Sequence, residues 1–373
     1  MSVGGARRTG RPFLDWKGLL GIGISLALLY YAFRGVDFGE VISRVREADL
    51  WLLVAAGLMA TTVFPLRAFR WGPLLRPLHA TTTFHSRFAA TCIGFMANNL
   101  LPARMGEFAR AYALSRLEPV RASASFGSLV VERVFDGVTV VALLLVALSW
   151  PSFPEFSGRD FGGAATGLAL AVAVAFGLLL LMVHAPARSL VLFQGTIGRI
   201  LPKTVRRPIA DALVAFLEGV AAIRDWRIVL LTLGWSLVVW GAGAVAFWIG
   251  FRAFGLDVPF LGAVFLQSVI ALAVSLPSAP GFFGLFEAGA RIGLVEVWGV
   301  ESSPAVAFAL GFHIAGFIPI TALGLYYVWR LGLSWRDVEE SEEAVETAVE
   351  AGESAAGGAP TPAVRGKVSG EES

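Results

Sequence analysis

The chain has 373 residues, of which 56% are hydrophobic and 16% charged, and its mean hydropathy is +0.70. Those values exclude an ordinary soluble globule, and the formal net charge of +2 gives no reason to expect a nucleic-acid partner. A single cysteine, Cys92, excludes a disulfide framework and a thiolate metal site, and four scattered histidines match no zinc spacing.

The first 16 residues are basic, with Arg7, Arg8 and Arg11 ahead of Lys17. They read as a cytoplasmic N-terminus before a retained apolar anchor, Leu19 to Phe33, because no small-residue cleavage site follows. A bilayer core takes about 20 apolar residues. Further uncharged stretches near that length run from Leu50 to Leu66, Phe161 to Ala187, Ile228 to Phe251, Val258 to Phe286 and Ser302 to Trp329. A less clean span, Ala122 to Trp150, carries Glu132, Arg133 and Asp136 in its first half.

Two segments resemble each other: NNLLPARMGEFARAYAL from Asn98, and AVSLPSAPGFFGLFEAGARIGL from Ala273. Each has Leu-Pro in an apolar context, Gly four residues after the proline (Pro102 to Gly106, Pro277 to Gly281), then a glutamate and an arginine one turn apart. Proline removes a backbone donor and glycine permits conformations closed to other residues, so each copy is expected to break its helix. Irregular backbone at membrane depth is tolerated where it is buried or lines a wet cavity, and paired broken helices point to a transporter's substrate site.

Loop charges decide the expected topology. If every apolar segment crossed there would be eight spans, with Arg104, Arg110, Arg116 and Arg121 outside and Glu287, Glu296 and Glu301 inside, against the positive-inside rule. If the two broken segments are re-entrant hairpins, the rule is obeyed throughout. The expected fold is therefore an all-α polytopic membrane protein of about six full spans and two re-entrant broken-helix hairpins, with eight spans as the alternative. Its halves, about residues 17–150 and 161–330 of a domain over 17–335, form an inverted repeat with both termini cytoplasmic. Residues 336–373 read as an acidic disordered tail: from Asp337 onward ten acids face two bases, a charge of −8 that leaves about +10 on the rest.

Four constellations could carry chemistry. Arg104, Glu107 and Arg110 follow the first break at a spacing that shares one helix face, and guanidinium groups bind phosphate bidentately. Asn98 and Asn99 add neutral donors one turn earlier. Arg67 and Arg70 lie on one face beside Trp71, suited to anchoring at the interface or to a phosphate headgroup. Glu132, Arg133 and Asp136 share a face at intramembrane depth, where charge is expensive. Two acids against one base leave a carboxylate for ion coupling. Pro277, Pro280, Gly281 and Gly284 form an unwound hinge, after which Glu287 and Arg291 are expected to pair at i,i+4. No catalytic residues, metal site or cofactor are assigned, and a transporter is preferred to an enzyme.

At RAFRW (Arg67), NNLLPARMGE (Asn98), VERVFDG (Val131) and LPSAPGFFGLFE (Leu276) the chain resembles the flippase-like transmembrane domain of lysylphosphatidylglycerol synthases, also found as stand-alone bacterial and archaeal membrane proteins. The resemblance covers roughly Leu14 to Arg330. It implies movement of a lipid or lipid-linked molecule between leaflets of the cell membrane. Relatives are associated with aminoacylated phosphatidylglycerol, hopanoids and polyprenol-linked sugars. Only the acidic tail follows Trp335, so aminoacyl-transferase activity is not carried over. The expected partners are membrane lipids with anionic phosphate headgroups, and a partner enzyme or a second copy of the chain. The competing functions are a membrane-embedded transferase on a lipid-linked substrate, with Glu107 or Asp136 as base, and a scaffold subunit in envelope synthesis.

Overall fold

The computed structural model describes residues 16–101, 105–154, 220–275 and 279–333, with scattered positions between 163 and 177 and at 341. Ten α-helices and no strand occur among the described residues. In chain order they are α1 Trp16–Phe33, α2 Phe38–Glu47, α3 Leu50–Leu75, α4 Phe84–Leu100, α5 Gly106–Leu117, α6 Ala122–Leu148, α7 Trp226–Ala253, α8 Phe260–Ala273, α9 Leu285–Arg291 and α10 Ser302–Arg330. Pro102, Arg104, Pro277, most of the expected Phe161 to Ala187 span and nearly all of the acidic tail lie outside the described residues.

Helices α3, α7 and α10, of 26, 28 and 29 residues, are long and apolar enough to cross a membrane. At 27 residues α6 is as long, but it carries Glu132, Arg133 and Asp136. Asp49 starts α3 by accepting the Leu52 amide at 3.0 Å. The helix then runs past the expected end at Leu66, through Pro65, Arg67, Arg70 and Pro73, to Leu75. The arginines do not end it because carboxylates on α6 meet them. Unforeseen in the sequence is α2, whose Phe38, Ile42 and Val45 are exposed on one face. Spacing of four and three residues makes that face continuous, the pattern of a helix lying in a membrane interface.

Both expected breaks interrupt the helices. After α4, Leu101 is extended (φ −104°, ψ 146°), the geometry favoured before proline. The chain turns back as α5 along α4, with the Gly106 amide donating to Asn98 Oδ1 at 2.8 Å. Gly106, a residue of the expected break, is the first residue of α5, and what requires glycine there is close approach. A Cβ on Gly106 would collide with the Asn98 side chain and the Gly94 carbonyl. With 12 residues, about 18 Å, α5 is too short to cross a core of about 30 Å.

The second break is wider. Past α8, a 3₁₀ turn at Pro280–Phe282 leads through Gly284 into α9, which continues as a π-helical turn at Ile292–Val297. Gly281 and Gly284 take φ of 70° and 90°, conformations in which an L side chain is strained, so here glycine does serve the unwinding.

Two apolar cores flank the middle of the molecule. One gathers Trp71, Ile93, Met96, Leu114 and Phe135 from α3 to α6, and the other Phe251, Leu266, Leu294 and Phe308 from α7 to α10. Exposed Trp51, Leu58, Leu230, Ile318 and Trp329 give the outside an apolar surface suited to lipid.

Candidate functional site: a charged and aromatic cavity among the helices

Between these cores lies a cavity of about 670 Å³ lined from α3 through α10. Helices α3, α5 and α6 contribute its charged groups, Arg67, Glu107, Arg133 and Asp136, while Asn98, Asn99 and Gln267 add neutral polar ones. Phe247, Phe286, Phe312 and Phe317 of α7, α9 and α10 make much of the remainder aromatic.

Among the described residues these charged groups join the buried Arg70, Arg110 and Glu132 in a network of four arginines and three carboxylates, one positive charge in excess. Asp136 sits at its centre: Oδ1 accepts Arg70 Nη1 at 2.6 Å and Trp240 Nε1 at 3.0 Å, and Oδ2 accepts Arg67 Nη1 at 2.9 Å. Glu132 accepts Arg110 through both oxygens, at 2.8 and 3.1 Å, and Arg133 Nη2 at 3.0 Å. Arg70 Nη2 also lies 3.0 Å from Glu132, misaligned for a hydrogen bond. Removing so much charge from water is tolerable only because the two buried carboxylates, Glu132 and Asp136, each meet several guanidiniums. Even so, the Nε groups of all four arginines lack a hydrogen-bond partner among the described residues.

This geometry corrects three expectations. The surplus carboxylate inferred from two acids and one base is absent: arginines from α3 and α5 engage both Glu132 and Asp136. Arg110 and Arg70 do not line the cavity. Arg110 is buried against Glu132 with its guanidinium carbon 4.0 Å from the Trp71 ring, and Arg70 is fully buried, also bonding Ser236 at 3.0 Å. Glu287 and Arg291 do not pair. Arg291 donates to the carbonyls of Ala32 and Arg34, while Glu287 turns to His313 at 2.8 Å and accepts the Gly284 amide at 2.6 Å.

Other singled-out residues come together at the cavity. Arg67 lines it with its guanidinium between Phe95 and Trp240, at 5.4 and 5.8 Å from their rings. Arg133 is the most open of the four arginines, its side chain 35% exposed, and Glu107 stands 3.9 Å away. Asn98 ties the first hairpin and Asn99 donates to Thr321 at 2.8 Å. Pro280 lies in the second turn, at the border of the cavity formed by Phe282 and Ser275. Sequence reasoning missed Trp240, Gln267 and His313. Trp and His deep inside uncharged spans were the available signal. Among the described residues no three His, Cys, Asp or Glu side chains converge as a metal site would need.

A multi-helix membrane protein with a polar cavity is therefore defined before any comparison. The family model described as the lysylphosphatidylglycerol synthase TM region matches residues 18–324, and the chain belongs to that family. It is similar to Glycosyltransferase AglD of Haloferax volcanii, 27% identical over 332 residues that make up 82% of this chain and 53% of the relative. The chain thus spans about half the length of that protein. Two UPF0104 membrane proteins of Methanothermobacter thermautotrophicus are similar along most of their length: one is 22% identical over 77% of this chain and 86% of its own, the other 26% identical over 82% and 90%.

Proposed function

We propose that the chain moves a lipid or lipid-linked molecule with an anionic phosphate headgroup between the leaflets of the cell membrane. The observation that carries this reading is the cavity itself, where the partly exposed Arg133 and the more deeply set Arg67 meet aromatic walls in one space. A guanidinium can receive phosphate oxygens, and a lining of phenylalanines accommodates the apolar part that follows a headgroup. About 670 Å³ suits a headgroup whose tails stay in the bilayer. Arg104, outside the described residues, is a further candidate for the phosphate.

The same reading includes the topology inferred from loop charge: six spans, two hairpins related as an inverted repeat, and both termini cytoplasmic. The shortness of α5 and the return of α5 along α4 support it.

A second reading has its own support. One relative is named a glycosyltransferase, and Glu107 is the cavity carboxylate held most loosely, suited to a general base on a lipid-linked substrate. Purified protein in phosphatidylcholine vesicles separates the two. Fluorescent phosphatidylglycerol should change leaflets faster than fluorescent phosphatidylcholine, with no group transferred. Equal, protein-independent rates for both lipids would remove the transport reading.

A further inference from the structure

The network on α3, α5 and α6 absorbs most of the buried charge, but one titratable pair at the cavity stands outside it. His313 of α10 lines the cavity, with its ring centroid 4.3 Å from that of Phe286 and 4.6 Å from that of Phe283. Its Nδ1 meets Oε1 of Glu287, which is fully buried on α9, at 2.8 Å. The other oxygen, Oε2, accepts the Gly284 amide at the unwound turn, so the pair joins α10 to the second break.

We propose that His313 and Glu287 form a proton-binding site whose occupancy is coupled to binding of an anionic phosphate headgroup in the same cavity. With Nδ1 engaged by the carboxylate, a proton taken from cavity water binds at Nε2, or equivalently is shared along the Nδ1 to Oε1 bond. Either way the pair passes from one negative charge to none. Histidine is the residue type that changes charge near neutral pH. Among the described residues no arginine pairs with this carboxylate: Arg291, on the same helix, is committed to the carbonyls of Ala32 and Arg34.

The charged groups facing the cavity from the other elements decide the sign of the coupling. Among the described residues they are Arg67 of α3, Glu107 of α5, and Arg133 and Asp136 of α6. Together with the buried Arg70, Arg110 and Glu132 behind them, they carry one positive charge. With the pair unprotonated that charge is cancelled. With the proton bound it is restored, and a phosphate monoanion brings the site back to neutrality. Proton and phosphate therefore favour each other's binding, and by linkage the effect is mutual.

The inference rests on the lipid-binding half of the proposed function, and its test does not require transport. Short-chain phosphatidylglycerol, dihexanoyl and soluble, is added to detergent-purified protein in weak buffer near pH 7 while pH is recorded. Wild type should take up protons, to at most one for each lipid bound. H313Q should bind lipid with that uptake lost, and its melting temperature shows that it is folded. Lipid binding by wild type with no proton uptake, or uptake retained by folded H313Q, overturns the inference. So does failure of wild type to bind the lipid at all.

In vesicles, a gradient of one pH unit across the membrane should drive wild type toward an asymmetry of about tenfold in fluorescent phosphatidylglycerol if one proton moves with each lipid. Proton uptake in detergent with no lipid movement in vesicles would remove the transport reading and leave the proton site standing.

Discussion

Arg110 and Glu132, on α5 and α6, are joined at two points, Nη1 to Oε1 at 2.8 Å and Nη2 to Oε2 at 3.1 Å, and the guanidinium carbon sits over the Trp71 ring, 4.0 Å from its centroid. This pair fastens the return helix of the first hairpin to the charged span beside it. An arginine that from its spacing reads as a phosphate ligand is thus a structural member. Glu132 is its counterpart: fully buried, it neutralises parts of Arg70, Arg110 and Arg133.

Glu132→Gln should accordingly destabilise the protein by about 3–5 kcal/mol, the range found when one partner of a buried ion pair is removed. The amide keeps the shape but leaves two uncompensated positive charges in the network where there was one. Thermal unfolding in detergent checks this; a melting temperature equal to wild type would mean that water or lipid phosphate already reaches these arginines.

Arg133→Gln should behave in the opposite way. Glu132 and Asp136 retain Arg70, Arg110 and Arg67, so stability should change little. What is lost is the most open cation of the cavity. A charge-assisted hydrogen bond contributes about 1.5–3 kcal/mol, so binding of phosphatidylglycerol should weaken roughly tenfold to a hundredfold. Titration calorimetry with short-chain lipid measures it, and unchanged affinity would move the phosphate site elsewhere, Arg104 being the first alternative.

These two predictions reverse the roles that spacing alone suggests, and the reason is physical. The long apolar helices, both breaks and the gathering of charge on α6 were legible, because apolar runs, proline with glycine, and intramembrane acids are local signals, whereas the amphipathic α2 was not. The partners were not. Whether Glu132 and Asp136 are free or engaged depends on α3 and α5 meeting α6 across 22 to 69 residues of sequence. The same holds for Glu287, where i,i+4 spacing favoured Arg291 and tertiary contact chose His313. Trp240 and Gln267 sit in uncharged stretches, and nothing local says that their polar atoms find partners at a cavity.

Topology is open to direct labelling. In a Cys92→Ser background, a cysteine at the exposed Arg116, in the last turn of α5, should react with an impermeant maleimide only from the cytoplasmic side. One at the exposed Glu301, before α10, should react only from outside. Both positions follow a break in the helices, and the proposed topology, with re-entrant hairpins in halves of opposite orientation, would put them on opposite faces. Reaction of position 116 from outside would instead make α4 and α5 a crossing and restore eight spans.

Glu107 is where transport and transfer predict contrary results. It lines the cavity, is 22% exposed, and lies 3.9 Å from Arg133, farther than any carboxylate oxygen engaged by Arg70 or Arg110. Because it is partly solvated and weakly paired, Glu107→Gln should leave stability within about 1 kcal/mol of wild type, unlike the same change at Glu132. In a transporter of anionic lipid the substitution raises the positive excess of the network from one to two and relieves Arg133 of its competitor. Phosphatidylglycerol should then bind a few-fold more tightly and keep moving between leaflets. As a general base, Glu107 would instead support the chemical step, and its amide would lower the rate by about 10²–10⁴ without tightening the substrate. Measuring lipid affinity, leaflet exchange and transfer from a lipid-linked sugar on the one variant decides between them, and exchange abolished with affinity unchanged would rule out the electrostatic role given to Glu107 here.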